Sequence, residues 1–315
     1  MKLQTSILLE TSRVQIDYGS RVLMLGSCFV ENMGAKLKEH KFQVEVNPFG
    51  ILFPPLAISR FVDLVVKNYS FAQDDLWLVN GRYHCPHAHS DFSDGDAEKV
   101  VGNLNTAIEN TASYLKNTTH VILTLGTAWG YRYKESGEIV ANCHKVPQAN
   151  FDKELASVDE IKLALKTTIE NLKILNPGLE VVITVSPVRH IKDGFVENQR
   201  SKAHLIAAVH ELMEQEVVAT YFPAYEIMMD ELRDYRFYDR DLVHPNALAI
   251  DYIWEKFIEV HLSAKAKKIL PEVVSILRDM QHRPFDTESE GHKKFQRKLE
   301  EKKAKLSQVL PHISF

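Results

Sequence analysis

The fold is decided by the stretch at residues 21–37, RVLMLGSCFVENMGAKL. Its first part, residues 21–25, is a short apolar run that ends at Gly26. After the glycine, Phe29, Met33 and Leu37 recur at helical spacing. The pattern predicts a strand, a tight turn and a helix in immediate succession.

The same alternation of apolar strands and helices continues along the chain. Further strands are predicted at residues 42–46, 121–125, 181–185 and 217–221. Helices are predicted at residues 56–66, 97–115, 202–214 and 247–260, and between Ser157, which opens a capping box with Glu160, and the stop signal Asn176-Pro177-Gly178. Apolar strands separated by helices are typical of a parallel sheet covered on both faces. We therefore predict an α/β protein, a three-layer α/β/α sandwich around a mostly parallel five-stranded sheet.

The length and charge of the chain limit its organisation and its partners. A chain of 315 residues with 45% hydrophobic residues is long enough for one large core. We predict a catalytic domain at residues 1–262 and a helical appendage at residues 263–315, which includes a highly charged helix near residues 293–306. A net charge of −4 lacks the basic character of nucleic-acid-binding proteins, so no nucleic-acid partner is expected.

Cysteine usage and the apolar pattern predict the compartment. Cys28, Cys85 and Cys143 are odd in number and too sparse for a disulfide framework, which favours a reducing environment. The first residues lack the apolar core of a signal peptide, and no apolar run is long enough to span a membrane. We expect a cytoplasmic protein with no membrane partner.

A polar excursion at residues 77–96 is predicted to be a hairpin or loop, and it contains a possible metal site. His84, Cys85, His87 and His89 lie close together in sequence, and the Cys143-His144 pair adds two soft ligands. Their spacing is irregular, however, and such clusters are more often rim residues that contact substrate or water. We assign them to no metal site, and no cofactor is expected.

The residues that carry chemistry follow the predicted strands, because parallel sheets bind ligands beyond their carboxyl ends. Ser27 and Cys28 lie at a helix N-terminus, where free N–H groups and the helix dipole stabilise an anion. Near the other end of the chain, Asp241 precedes His244 by three residues, so a carboxylate can orient the imidazole toward a nucleophile. Either piece alone is common, but together they predict a nucleophile, a base and an orienting acid.

The segment Gly26-Ser27-Cys28-Phe29-Val30 resembles the signature of GSCFA-domain proteins, with Val30 where the family name has alanine. That family is similar to the SGNH (GDSL-type) hydrolases. The resemblance spans about residues 1–260, and it is supported by residues 142–145 (NCHK) and 235–238 (YRFY). It implies a flavodoxin-like sheet and an acyl hydrolase with carbohydrate O-acetyl groups as one substrate class.

Carried over residue by residue, the resemblance implies that Gly50 donates an N–H to an oxyanion while His244 acts as general base and Asp241 orients it. Two departures from the hydrolase pattern leave alternatives open. Direct register with the Gly-Asp-Ser motif makes Cys28 the nucleophile, whereas a shift by one residue makes it Ser27. The third oxyanion donor, an asparagine in SGNH hydrolases, is missing from residues 126–129 (GTAW), and the Thr127 hydroxyl is its candidate replacement.

The sequence therefore predicts a hydrolase or acyltransferase that acts on acyl esters or thioesters of small molecules or glycans through a covalent acyl-enzyme. The alternative is a non-catalytic or metal-dependent binding protein on the same fold. The candidate substrate contacts follow strands or lie in the supporting segments, and they are Asn47, Trp129, Asn142, His144, Lys145, Arg189, His190 and Arg236.

Overall fold

The computed structural model describes residues 4–218, 220–287 and 289–315. The strands are β1 (Arg21–Gly26), β2 (Gln43–Val46), β3 (Trp77–Val79), β4 (Arg82–His84), β5 (His120–Leu125), β6 (Trp129–Tyr133), β7 (Ile139–Val140), β8 (Phe151–Leu155), β9 (Glu180–Val185) and β10 (Thr220–Phe222). The α-helices are α1 (Phe29–Glu39), α2 (Pro55–Val66), α3 (Ala97–Leu115), α4 (Val158–Leu175), α5 (Phe195–Glu214), α6 (Ala224–Glu226), α7 (Ala247–His261), α8 (Ala264–Met280) and α9 (Glu290–Val309).

The central sheet of the described chain has five strands in the order β10-β9-β5-β1-β2, and all of its pairings are parallel. When only these strands are numbered along the chain, the order is 2-1-3-4-5, which is the flavodoxin-like order. The strand order reverses between β1 and β5. Ligands of such sheets bind at this reversal, beyond the carboxyl ends of the strands.

Helices cover both faces of the sheet, and strand alternation divides the core into two clusters. Leu23 and Leu25 of β1 pack with α2, α3, α4 and α5, whereas Val22 and Met24 pack with α1, α7, α8 and α9. Successive side chains of a strand point to opposite faces, so each face of the sheet contributes to one cluster. The predicted three-layer α/β/α sandwich is confirmed.

Most predicted elements lie close to the observed ones, with three differences. Helix α5 begins at Phe195 rather than Lys202. The last strand of the sheet is Thr220–Phe222, and Ala219 of the strand predicted at 217–221 lies outside the described residues. The structure also contains a small antiparallel sheet, with the order β7-β6-β8, that was not predicted from the sequence. Its strands are half exposed and carry charged residues, so they lack the apolar runs by which the central strands were found.

Gly26 ends β1 with a conformation that other residues rarely adopt. Its φ is +134°, and a Cβ atom here would lie 2.0 Å from the carbonyl oxygen of Thr124 on β5. The side chain of Asn47 accepts the N–H of Gly26 at 2.9 Å, and the N–H of Ser27 donates to Thr124 at 3.1 Å. The turn between β1 and α1 is therefore fixed against both neighbouring strands.

We predict that Gly26→Ala destabilises the protein by more than about 2 kcal/mol, because it combines a strained φ with a backbone clash. Gly102→Ala is the matched control, since Gly102 is an exposed position inside α3 where a Cβ atom would have no neighbour within 4 Å. The control should stabilise the protein by about 0.5–1 kcal/mol. Urea unfolding measures both values, and equal stabilities of the two variants would contradict this account of the turn.

Candidate active site

A thiol, an imidazole and a carboxylate form a hydrogen-bonded chain at the carboxyl edge of the sheet. The Cys28 Sγ atom lies 3.6 Å from His244 Nε2, and His244 Nδ1 lies 2.6 Å from Asp241 Oδ2. The other carboxylate oxygen of Asp241 accepts the backbone N–H groups of Val243 and His244, at 2.9 and 3.0 Å. A proton on Nδ1 satisfies the carboxylate and leaves Nε2 free to accept the thiol proton.

The structure distinguishes between the two candidate nucleophiles. The Ser27 side chain is fully buried, and its hydroxyl has no hydrogen-bond partner among the described residues. Cys28 is partly exposed, and its thiol is the group that contacts His244. Cys28 also directly precedes the first residue of α1, so its side chain lies at the N-terminus of that helix. The geometry favours the register in which Cys28 occupies the nucleophile position.

Opposing effects act on the pKa of the Cys28 thiol, and burial is the largest of them. Burial raises this pKa, whereas the backbone N–H groups of Cys28 and Phe29 and the charge of Lys202 lower it. The balance is a raised pKa, so the thiol keeps its proton at neutral pH. Attack by the sulfur therefore requires a base, and the neighbouring imidazole of His244 is placed to be one.

The loop that carries Asp241 and His244 is held by its own turn and by Arg189. Leu242 adopts a left-handed conformation with φ +59°, and the N–H of Asp239 donates to the His244 carbonyl at 2.8 Å. The Arg189 guanidinium donates to the Leu242 carbonyl at 2.7 Å and lies over the Tyr238 ring at 4.7 Å. Arg189 thus fixes the loop in addition to lining the cleft next to it.

The chain of three groups opens into a cleft of about 610 Å³, which we call the main cleft. Its walls come from the loops after β1, β2, β5 and β9, from the small sheet with the loops next to it, and from the His244 loop. The lining residues are Cys28, Phe53, Pro54, Thr127, Trp129, Gly130, Tyr131, Val140, Ala141, Asn142, Cys143, Gln148, Val188, Arg189, His190, Ile191, Lys192, Asp193, Asp241, Val243 and His244.

Five residues predicted to contact substrate or oxyanion line the main cleft, namely Thr127, Trp129, Asn142, Arg189 and His190. The Thr127 hydroxyl lies 3.0 Å from the Ser201 hydroxyl and accepts the Trp129 N–H at 3.1 Å. It is therefore part of the wall. Burial, with a contribution from Lys202, lowers the pKa of His190 to about 3, so this ring is neutral at neutral pH.

The structure places the other predicted contacts away from the main cleft. The N–H of Gly50, predicted as an oxyanion donor, donates to the Asn47 carbonyl at 2.7 Å. Asn47 itself is buried and braces the β1 turn through Gly26 and Glu31. These two residues follow β2, and the backbone turn between them uses the donor that was expected to be free.

His144, Lys145 and Arg236 also lie outside the lining of the main cleft. His144 is buried with its Nε2 atom 2.7 Å from the Cys85 carbonyl, so its ring joins two loops. Lys145 is exposed, and the exposed Arg236 pairs with Asp234 at 3.4 Å.

The three histidines of residues 84–89 that were considered as metal ligands contact other protein groups instead. His84 Nδ1 lies 2.6 Å from the Ser93 hydroxyl, His87 lies 3.4 Å from Glu138, and His89 lies 3.1 Å from Asp91. Across residues 4–218, 220–287 and 289–315, no group of three or more His, Cys, Asp or Glu side chains could hold a metal ion. The geometry lends no support to the metal-dependent alternative.

Lys202, which was not predicted from the sequence, is a fully buried lysine just behind the lining of the main cleft. Its Nζ atom donates to the carbonyls of Gly126 and Ser186, both at 2.7 Å. A signal was present in the helix. The buried stripe of α5 is apolar near its C-terminus but polar near its N-terminus, where it contains Asn198, Ser201 and Lys202. Polar residues at core positions indicate that the helix end contacts a polar site.

The fold and the site define a class of protein: an α/β sandwich with flavodoxin-like strand order and a Cys-His-Asp chain at the point where the strand order reverses. Comparison with protein families places the chain more narrowly. The model of the GSCFA family matches residues 21–257, and the protein belongs to this family. The model described as the GSCFA domain protein, C-terminal domain, matches residues 273–315.

A comparison with solved structures matched a carbohydrate esterase family 3 protein from Talaromyces cellulolyticus with 11% sequence identity and a TM-score of 0.37. The match covers 82% of this chain and 99% of that chain. No curated protein matched the sequence. Within the described residues, the helices are all too short or too polar to cross a membrane.

We predict that Asp241 keeps its charge until the pH falls to about 2. The backbone N–H and imidazole of His244, with the N–H of Val243, lower the pKa of Asp241 to about 2. His244→Ala removes the imidazole but keeps both N–H donors, so the pKa should rise and remain below the ordinary value of about 3.9. Carboxyl ¹³C NMR during an acid titration measures the change.

His190→Ala is the control for this titration, because His190 also lines the main cleft but makes no hydrogen bond to Asp241. The control should leave the Asp241 midpoint near pH 2. A midpoint that is the same in His244→Ala and the wild type would show that the imidazole does not bond the carboxylate in solution.

Proposed function

We propose that this protein is an acyl hydrolase or acyltransferase that forms a covalent acyl-enzyme on Cys28. The observation that carries the proposal is the chain from Cys28 through His244 to Asp241, with distances of 3.6 and 2.6 Å. Membership of the GSCFA family supports it through the signature that contains Cys28. A nucleophile, a base and a group that orients the base are the minimum set for this chemistry.

In the first half of the reaction, His244 Nε2 takes the thiol proton as the Cys28 sulfur bonds to the acyl carbon. The tetrahedral intermediate then collapses, and the bond from the acyl carbon to the leaving oxygen or sulfur breaks. The leaving group departs with the proton held by His244. In the second half, His244 removes a proton from water or an acceptor alcohol, which attacks the thioester, and the departing Cys28 sulfur regains a proton.

The oxyanion of each intermediate needs hydrogen-bond donors, and the N-terminus of α1 supplies the nearest ones. The backbone N–H groups of Cys28 and Phe29 lower the pKa of the Cys28 thiol, as hydrogen-bond donors near a sulfur do. The donor predicted from Gly50 is used by Asn47, and the Thr127 hydroxyl is shared with Ser201. We propose that the α1 terminus is the main oxyanion site, with fewer donors than SGNH hydrolases have.

A thiol nucleophile with few oxyanion donors is suited to activated acyl groups. A thiolate is a better leaving group than an alkoxide, so an intermediate formed from an alkyl ester tends to expel Cys28 and return to substrate. A thioester presents two sulfur leaving groups of similar quality, and its carbonyl is more electrophilic. We propose that thioesters are preferred over alkyl esters among the acylated small molecules or glycans that could be substrates. Trp129 and Tyr131 line the main cleft, and we propose that they contact the rest of the substrate.

We predict that the wild type hydrolyses an acetyl thioester with a kcat/KM about 10- to 100-fold higher than that of the matched alkyl ester. Cys28→Ser should lose most thioester activity and reduce this preference, because an alkoxide replaces the thiolate as leaving group. Both constants are measured on the same acyl chain. A wild-type preference for the alkyl ester would contradict the thioester assignment while leaving the acyl-enzyme intact.

We predict that an acyl thioester adds one acyl group to Cys28, detected by peptide mass spectrometry after acid quenching. His244→Ala should slow this acylation by about 10²- to 10⁴-fold, because the base is lost. Cys143 is an internal control, since it lines the same cleft but burial raises its pKa to about 11. Acylation of Cys28 at the same rate in His244→Ala would contradict the role of His244 as the base, and no acylation at all would favour the binding-protein alternative.

A further inference from the structure

Lys202 is a charged residue in a position that apolar side chains usually occupy. Its side chain is fully buried in α5, and both of its hydrogen bonds go to neutral carbonyl oxygens, those of Gly126 and Ser186. Burying an ammonium group costs free energy, and lysine is rarely fully buried without a charged partner. A neutral donor could satisfy the same two carbonyls, so hydrogen bonding alone does not account for the charge.

The two carbonyls locate the ammonium group just behind the lining of the main cleft. Gly126 follows β5 and precedes Thr127, whereas Ser186 follows β9 and leads into the loop that contains Val188 and His190. Both strands end at the edge of the sheet where Cys28 lies. Lys202 therefore joins the two loops that flank the nucleophile from below.

The groups that surround Lys202 show where its charge acts. Burial lowers the pKa of Lys202 to about 7, and Cys28 and Glu226 are the acidic groups that oppose this shift. Glu226 is half-buried, its pKa is raised, and it accepts the Tyr221 hydroxyl at 2.8 Å. The Tyr225 ring lies 5.5 Å from the Lys202 ammonium, and the pKa of Tyr225 is also raised, so its hydroxyl keeps its proton. His190 faces Lys202 as a neutral ring, because its own pKa is lowered to about 3. The thiol is thus the neighbour at which negative charge develops during the proposed reaction.

We infer that Lys202 is a positioning residue that acts through Cys28. The buried Lys202 ammonium, held by the Gly126 and Ser186 carbonyls, stabilises the negative charge that forms on the Cys28 sulfur. The inference rests on the proposed function, in which the sulfur attacks and leaves as a thiolate. A fixed charge beneath a water-poor site stabilises a developing anion more strongly than a solvated one does. The charge offsets part of the burial that raises the thiol pKa.

The charged state of Lys202 gives this inference a pH signature. Below pH 7 the ammonium is present, so the thiolate of Cys28 should form more readily than beside a neutral residue. An opposite charge at close range changes a pKa by about one unit or more, which corresponds to about tenfold in thiolate fraction. Well above pH 7 the lysine has lost its proton, and this advantage should disappear.

The test measures the rate of Cys28 alkylation by iodoacetamide between pH 5 and pH 10, followed by mass spectrometry of the Cys28 peptide. All proteins carry His244→Ala, so that no imidazole removes the thiol proton. Lys202→Gln removes the charge but keeps an N–H donor for the carbonyls, and Lys202→Met removes both. Lys192→Gln is the matched control, because Lys192 lines the main cleft but is exposed to solvent.

We expect Lys202→Gln and Lys202→Met to slow alkylation about tenfold at pH 6 and to leave it nearly unchanged at pH 9. Lys192→Gln should change the rate by less than about twofold, because solvent screens its charge. Equal rates at pH 6, or a slowing that is the same at every pH, would overturn the inference, since a structural change alters access to the thiol independently of pH.

If neither Lys202 variant folds, the His244→Ala protein alone provides the test. Its alkylation rate should rise tenfold per pH unit, flatten for about one unit above pH 7 as Lys202 loses its proton, and then rise again. A straight rise through this range would overturn the inference. Alkylation requires no acyl substrate, so this result is separate from the outcome of the acylation and hydrolysis experiments.

Discussion

The contact between the Cys28 thiol and the His244 imidazole joins residues 216 positions apart in the chain, and the proposed chemistry depends on it. The parallel sheet makes this contact possible, because β1 ends at the edge of the sheet where the later loops converge. Gly26 then turns the chain closely against β5, which places Cys28 at the N-terminus of α1. Arg189 holds the opposing loop through the Leu242 carbonyl. Cys28 and His244 are therefore both held in place by residues that do not take part in the proposed reaction.

Cys28 and Asp241, the two ends of the hydrogen-bonded chain through His244, differ in their exposure to water. Asp241 is half exposed and receives three hydrogen bonds, so its carboxylate stays charged and holds the imidazole. Cys28 is largely removed from water, so its thiol stays protonated until the base acts. This difference suits general-base activation of a neutral thiol rather than a preformed thiolate–imidazolium pair. The N–H donors and the Lys202 charge near the sulfur stabilise the thiolate, which forms only as the proton leaves. They therefore affect the rate of attack even though the resting thiol is neutral.

The sequence predicted the elements and residues whose patterns are local, and it failed where partners come from elsewhere in the chain. Apolar runs and the capping box at Ser157 located the central strands and α4 well. The Asp241 and His244 pair was also found, because three residues separate its members. In contrast, Gly50 was expected to have a free N–H, but whether it does depends on the backbone turn with Asn47. The choice between Ser27 and Cys28 depended on which side chain faces the main cleft, and sequence spacing does not contain that information.

The C-terminal helices complete the face of the sheet that supports the nucleophile. Leu270 and Ile276 of α8 and Leu299 and Leu306 of α9 belong to the same apolar cluster as Phe29, the first residue of α1. The cluster crosses the boundary predicted at residue 262. Exposed ion pairs contribute little to stability, whereas each buried aliphatic side chain contributes about 1.5–3 kcal/mol. The position of α1, and with it the position of the thiol, therefore depends mainly on apolar contacts to which the last helices of the chain contribute.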